Sequence, residues 1–276
     1  MSGLDFLYGT AAGRALLRPL TARPLSRLAG RALETRASKA LIGPFVRKNR
    51  MDLSDYDLRD LRCFNDFFCR PLKSGRRPFD PDPEALTAPC DGLLTALRVD
   101  GDTVLPVKQS RYSLARLLGD EKLAAEFEDG LCLVFRLCVE HYHRYCYFAD
   151  GRKGENVFLP GALHTVRPVA LADVPVFTEN CREYTVLETE RFGKAVQMEV
   201  GAMLVGRIVN DHLWPRDVKR GEEKGHFAFG GSTVIVLLRK GAAELLPALL
   251  EASARGEETP VRMGQRIGSA RTSFRV

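Results

Sequence analysis

In the stretch Phe227–Leu238, FAFGGSTVIVLL, an apolar strand-like run is broken by Gly230-Gly231-Ser232-Thr233. A Gly-Ser pair is what backbone self-cleavage needs. The serine Oγ must attack the carbonyl of the preceding residue, and a glycine there has no Cβ and admits unusual φ/ψ values. An N→O acyl shift gives an ester. β-Elimination then releases a chain ending at Gly231 and leaves dehydroalanine at 232, which hydrolyses to a pyruvoyl group. The sequence of steps requires a base for the serine protons and a carboxylate to orient that base. The competing reading is a bulge or a close crossing of two backbones, and the motif alone leaves both open. The hydrolase elbow GxSxG is not met, because Val234 stands in place of its second glycine.

Other chemistry-bearing groups are sparser. His141 and His143 stand two apart on a strand-like run and would share one side, as some zinc-binding imidazole pairs do. His164, His212 and His226 add no ligand spacing and HExxH is absent, so no metal is expected. Neither GxGxxG nor GxxxxGK[ST] occurs. Gly221-Glu222-Glu223-Lys224-Gly225 is too acidic to cradle a phosphate and reads as an exposed turn. The seven cysteines form no CxxC pair. An odd count, with no secretory signal pattern, points to reduced thiols in a protein facing the cytosol.

The elements that must position these groups read as a β-rich α+β fold. Strand-like runs follow Cys90-Asp91-Gly92: LLTALRV, DGDTVLPV, LCLVFRLCV, YHRYCYF, GENVFLPG, EYTVLETE, AVQMEVGAMLVGRIV and STVIVLL. One helix is expected over Ser113–Gly130. Another is expected over Asp52–Phe68, capped by Ser54 or Asp55, with a Pro-rich link from Arg77 to Pro89. Residues 1–50 form an N-terminal amphipathic helical arm, and 51–276 the catalytic domain. The arm carries ten basic and two acidic side chains, so it is +8 within a chain of net +6. Arg23, Arg27 and Arg31 share one helical face, opposite Leu25, Leu28, Ala29, Ala32 and Leu33, with Pro19 and Pro24 dividing the arm. A basic amphipathic helix suits an anionic membrane surface. Few aromatics interleave with the arginines, which argues against nucleic acid.

Three segments together resemble the phosphatidylserine decarboxylase family: Ala88-Pro89-Cys90-Asp91-Gly92, Tyr142-His143-Arg144-Tyr145-Cys146, and Lys224 through Thr233. Cys63-Phe64-Asn65-Asp66-Phe67-Phe68 also fits. Leu7-Tyr8-Gly9-Thr10 with its basic arm is similar to the second bacterial type. The resemblance spans nearly the whole chain and implies an Asp-His-Ser self-processing triad on Asp91, His143 and Ser232. It also implies cleavage between Gly231 and Ser232, into 1–231 and 232–276, and a covalent pyruvoyl cofactor made from Ser232. Many members carry a second histidine three residues after the first. Here that position is Cys146, so the histidine role falls on His143, with Cys146 and His226 as auxiliary candidates. Asp91-Gly92 is equally a common turn pair, and His143 could be a core imidazole.

The implied enzyme is a carboxy-lyase. It converts phosphatidylserine to phosphatidylethanolamine and CO2 through a Schiff base on the pyruvoyl carbonyl, the electron sink. It would be a zymogen, peripheral on the cytoplasmic side of the cell membrane, with an anionic phospholipid surface as partner and a homodimer left open. Two other readings stand beside it: a pyruvoyl decarboxylase of a soluble amino acid, and a catalytically inactive membrane-binding protein.

Overall fold

A run that is apolar and β-branched at successive positions, as in Val234-Ile235-Val236-Leu237-Leu238, can be satisfied only in the middle of a sheet covered on both faces. The computed structural model describes residues 7–8, 10, 12–13, 16, 21, 23–100, 113–166, 176–202, 207–228 and 232–271. Its strands are β1 (Ala85–Thr87), β2 (Gly92–Arg98), β3 (Leu131–Leu137), β4 (Arg144–Cys146), β5 (Gly151–Leu159), β6 (Arg182–Thr189) and β7 (Gly193–Val200). They continue as β8 (Ile208–Asn210), β9 (Arg216–Val218), β10 (Glu223–Phe227), β11 (Ser232–Leu238), β12 (Ala243–Leu245), β13 (Thr259–Val261) and β14 (Arg266–Ala270). β11 lies inside an eight-stranded sheet of order β13-β2-β3-β11-β7-β6-β5-β9, between antiparallel β3 and β7. Two three-stranded sheets, β1-β14-β12 and β4-β10-β8, complete the architecture among the described residues.

Side-chain alternation divides β11 between two cores. Val234, Val236 and Leu238 join Leu133 and Phe135 in a cluster with Leu86, Leu245 and Ile267 of the first small sheet and Tyr145 and Phe227 of the second. Ile235 and Leu237 face the other way, onto Val134, Met198, Leu117, Phe127 and Phe177. Ser232 shares the parity of Val234, so it belongs to the face covered by the small sheets.

Two helix expectations are corrected. Ser113–Gly130 splits into helices Leu114–Leu118 and Glu121–Ala125, because Gly119 takes a left-handed C-cap conformation (φ 66°) and the Asp120 side chain caps the next helix at Leu123 N. The expected helix over Asp52–Phe68 shrinks to Phe64–Phe68, capped by the Cys63 sulfur. Asp55 is drawn into ion pairs with Arg76 and Arg77 instead of capping a helix. Gly231, Gly9, the run Asp102–Val107, Met203–Gly206 and the side chains of Arg23, Leu25 and Arg27 lie outside the described residues.

The arm forms a helix over Arg23–Leu33, a 3-10 turn over Arg36–Leu41 and a helix over Ile42–Asn49. Its second half packs onto the body. Phe45 meets Phe64 edge-on at 5.0 Å, and buried Ser38 Oγ accepts a hydrogen bond from Phe64 N at 2.9 Å. Leu28 and Leu41 remain exposed, together with Arg31, Arg36, Lys39, Arg47 and Lys48.

Candidate active site

The register of the large sheet gathers the expected residues. Thr233 pairs with Arg136 on β3, and Arg136 pairs with Leu93 on β2. These three positions therefore span about 10 Å across adjacent strands. One step along each strand, Ser232 begins β11 opposite Leu137, which ends β3, while Asp91-Gly92 opens β2. His143 follows β3 after a turn closed by His141 N to Cys138 O at 3.0 Å. Asp91 and Ser232 thus share one end of the sheet, and His143 follows that end of β3 by six residues, although all three lie far apart in the chain.

Ser232 is fully buried and its Oγ has no hydrogen-bond partner among the described residues. A buried hydroxyl left in this state is costly, and such costs concentrate at sites of chemistry. His143 is also fully buried. Its Nδ1 lies 2.9 Å from the His141 carbonyl oxygen, and its ring packs at a tilt against Phe68 with centroids 3.9 Å apart. A carbonyl only accepts, so Nδ1 carries a proton, and Nε2 is the nitrogen that can act as the base. Phe68 belongs to the helix on which the arm packs, so the arm is continuous with the wall of this site. Phe227 N donates to the His143 carbonyl at 2.9 Å, which joins the end of β10 to the same place.

The third expected residue has a different set of contacts. Asp91 accepts from Arg77 Nε at 2.8 Å, from Arg77 Nη2 at 2.7 Å and from Met263 N at 2.9 Å. In this conformation the His141 carbonyl, not the Asp91 carboxylate, orients the His143 ring. Cys146 is buried and donates to Pro89 O at 3.2 Å. Burial pushes its thiol far above the usual range, so it stays a neutral S–H. His226 faces the outer side of β10, in a crevice of about 280 Å³ shared with Cys69, Arg62 and Arg144. Burial first, and then the Arg144 charge, lower its basicity. His226, Asp211 and Glu223 come within 4.8 Å of one another, but Arg144 already occupies Glu223 at 2.6 Å.

Of the segment Gly221–Gly225, expected as an exposed turn, Gly221 does turn, with φ 82°, but Glu223–Gly225 open β10 and Lys224 is buried against Glu199 of β7. Asn210 accepts from Lys224 Nζ at 3.0 Å and donates to Glu183 at 2.9 Å. Burial pushes the Glu199 carboxyl above its ordinary range, against the pull of Lys224. Glu199 pairs with Val234, so this ion pair underlies the same face of β11 as Ser232. Replacing Lys224 by Met should leave a buried unpaired carboxylate and cost about 3–5 kcal/mol. Adding Glu199→Gln should recover most of that loss, and urea unfolding of the three variants reads both effects.

The chain matches the family model described as phosphatidylserine decarboxylase over residues 64–269. It is 40% identical over 266 residues to the phosphatidylserine decarboxylase proenzyme 2 of Clostridium acetobutylicum, covering 96% of this chain and 91% of that protein. It is 37% identical to the phosphatidylserine decarboxylase proenzyme of Clostridium botulinum and 35% identical to that of Clostridium beijerinckii. Each of these matches covers 96% of this chain and 92% of the relative.

Proposed function

The chain belongs to the phosphatidylserine decarboxylase family, and on that premise we propose that it is made as a precursor, cuts itself between Gly231 and Ser232, and decarboxylates phosphatidylserine on the pyruvoyl group so formed. One observation carries this reading: a fully buried serine, with no hydrogen-bond partner among the described residues, opens β11 at the sheet end where His143 and Asp91 also lie. Residue 232 suits a pyruvoyl group because it is shielded from water, and the pairing of β11 with β3 and β7 holds it in place once the backbone is cut. When bound, the group supplies a carbonyl that takes up the electron pair left by departing CO2.

The chain's own residues move the protons. His143 Nε2 takes the Ser232 protons during self-cleavage, and later returns a proton to the substrate α-carbon, work for which imidazole basicity is suited. Asp91 stabilises the charged ring. The burial around Phe68, Phe227 and Tyr145 keeps bulk water away.

A lipid substrate gives the arm its role. Among the described residues no helix is long and apolar enough to cross a membrane, so the arm is proposed to lie on the anionic cytoplasmic face. Each basic residue near such a surface contributes about 1 kcal/mol, and each leucine that leaves water about 1.5–3 kcal/mol. Leu28→Asp with Leu41→Asp should weaken binding to phosphatidylserine vesicles more than tenfold while self-cleavage continues, because both side chains are exposed. Unchanged vesicle sedimentation would remove the arm from this role.

Intact mass under denaturing conditions tests the central reading. Two species are expected, one ending at Gly231 and one beginning with pyruvoyl in place of Ser232. A single full-length mass, stable on long incubation, would overturn it. Release of CO2 from phosphatidylserine vesicles but not from free serine separates the lipid enzyme from a decarboxylase of soluble amino acids.

A further inference from the structure

Arg77 comes from the Pro-rich link before β1, 14 residues ahead of Asp91, and it meets that carboxylate with the flat edge of its guanidinium. Nε reaches Oδ1 at 2.8 Å and Nη2 reaches Oδ2 at 2.7 Å, a fork-on-fork contact. Both side chains are only 7% exposed. The remaining Nη1 is held by Asp55 Oδ2 at 2.7 Å, so the guanidinium is fixed from behind as well. Arg77 also has φ 58°, in the left-handed region that residues with a Cβ avoid. Such a conformation persists where surrounding contacts over-determine it, and it clusters at functional sites. Met263 N completes the set on Asp91, and Met263 lies in the segment that would become the smaller chain.

We propose that Arg77 is a positioning residue for self-cleavage: anchored by Asp55, it holds the Asp91 carboxylate at the sheet end where Ser232 is processed. The proposal rests on the role given to Asp91 above. A carboxylate this buried has few ways to be held in one orientation. The backbone N–H of Met263 supplies one bond, and the Arg77 fork supplies the rest. Without the fork, Asp91 keeps a single donor among the described residues and its orientation is lost. Lysine cannot replace the fork, because an ammonium is a point charge without the planar pair of donors.

The test follows conversion of freshly translated full-length precursor on denaturing gels, for Arg77→Met, Asp91→Asn, the double variant and Arg77→Lys, each with a thermal melt. Arg77→Met should slow cutting about 100-fold, the scale for a misplaced catalytic group. The double variant should be no slower than the slower single, because one residue acts through the other. Arg77→Lys should be intermediate, and added guanidinium should speed Arg77→Met. If Arg77→Met does not fold, Arg77→Lys carries the comparison against Asp91→Asn.

Three outcomes would overturn the proposal. Losses that add in the double variant would make Arg77 independent of Asp91. Normal cutting in a folded Arg77→Met would give the fork no part in the reaction. Faster cutting would make it a restraint on Asp91. Normal cutting by Asp91→Asn is a separate failure, since it removes Asp91 from the reaction whatever Arg77 does.

Discussion

Ser232→Ala should yield one uncut chain with no decarboxylase activity, and a melting temperature no lower than that of the parent precursor. The first half follows from chemistry. Without Oγ there is no acyl shift, no ester and no elimination, so no pyruvoyl group can arise. The second half follows from the site. Ser232 Oγ is buried with no hydrogen-bond partner among the described residues, so alanine breaks no bond with any of them and removes a polar atom that burial penalises by about 1–3 kcal/mol. The strand pairing of residue 232 with Leu137 runs through the backbone and is untouched. A variant that lost activity merely by misfolding would melt lower and lose its β-sheet signal. One that still gave two fragments would move the cut to another bond. Intact mass, circular dichroism and CO2 release on the same preparation separate these outcomes.

What could be read in advance was local, and what could not was contact. The run STVIVLL reads as a strand, and β11 spans it from Ser232 to Leu238. The Gly-Ser interruption is visible because it breaks the apolar run. The short strands β12, β13 and β14 have at most five residues each, too few to show a period, and their pairing depends on partners far along the chain. LSDYDLRDL looks like an amphipathic helix. Yet Asp55 reaches Arg77, 22 residues away, and Asp57 accepts from Arg59 two residues on, so a tertiary ion pair and a local turn contact outweighed helix propensity. Lys224 looks exposed within Gly-Glu-Glu-Lys-Gly, because nothing local announces Glu199 beneath it. Arg77 is the clearest omission. Its only local mark is a place before Pro78, whereas its meaning lies in Asp55, Asp91 and a left-handed backbone.

His143 carries the second large effect. Truncation to alanine would remove the ring that packs against Phe68 and leave a void, so lost cutting in that variant would mix fold with chemistry. His143→Asn separates the two. Its side-chain amide can still donate to the His141 carbonyl, which preserves the orienting bond, but it offers no basic nitrogen. Self-cleavage should then slow by about 10²–10⁴-fold, the usual worth of a positioned general base. The expected outcome is a precursor that accumulates with little change in melting temperature and converts only over long incubation. His226→Ala is the control. His226 lies on the outer side of β10 in a crevice with Arg144, away from the covered face that holds Ser232, so its loss should leave cutting within a few-fold of the parent. If the two results were exchanged, the base would be His226. The self-cleaving chemistry would then reach Ser232 from the crevice side, and the small sheet β4-β10-β8 would have to open for it to act.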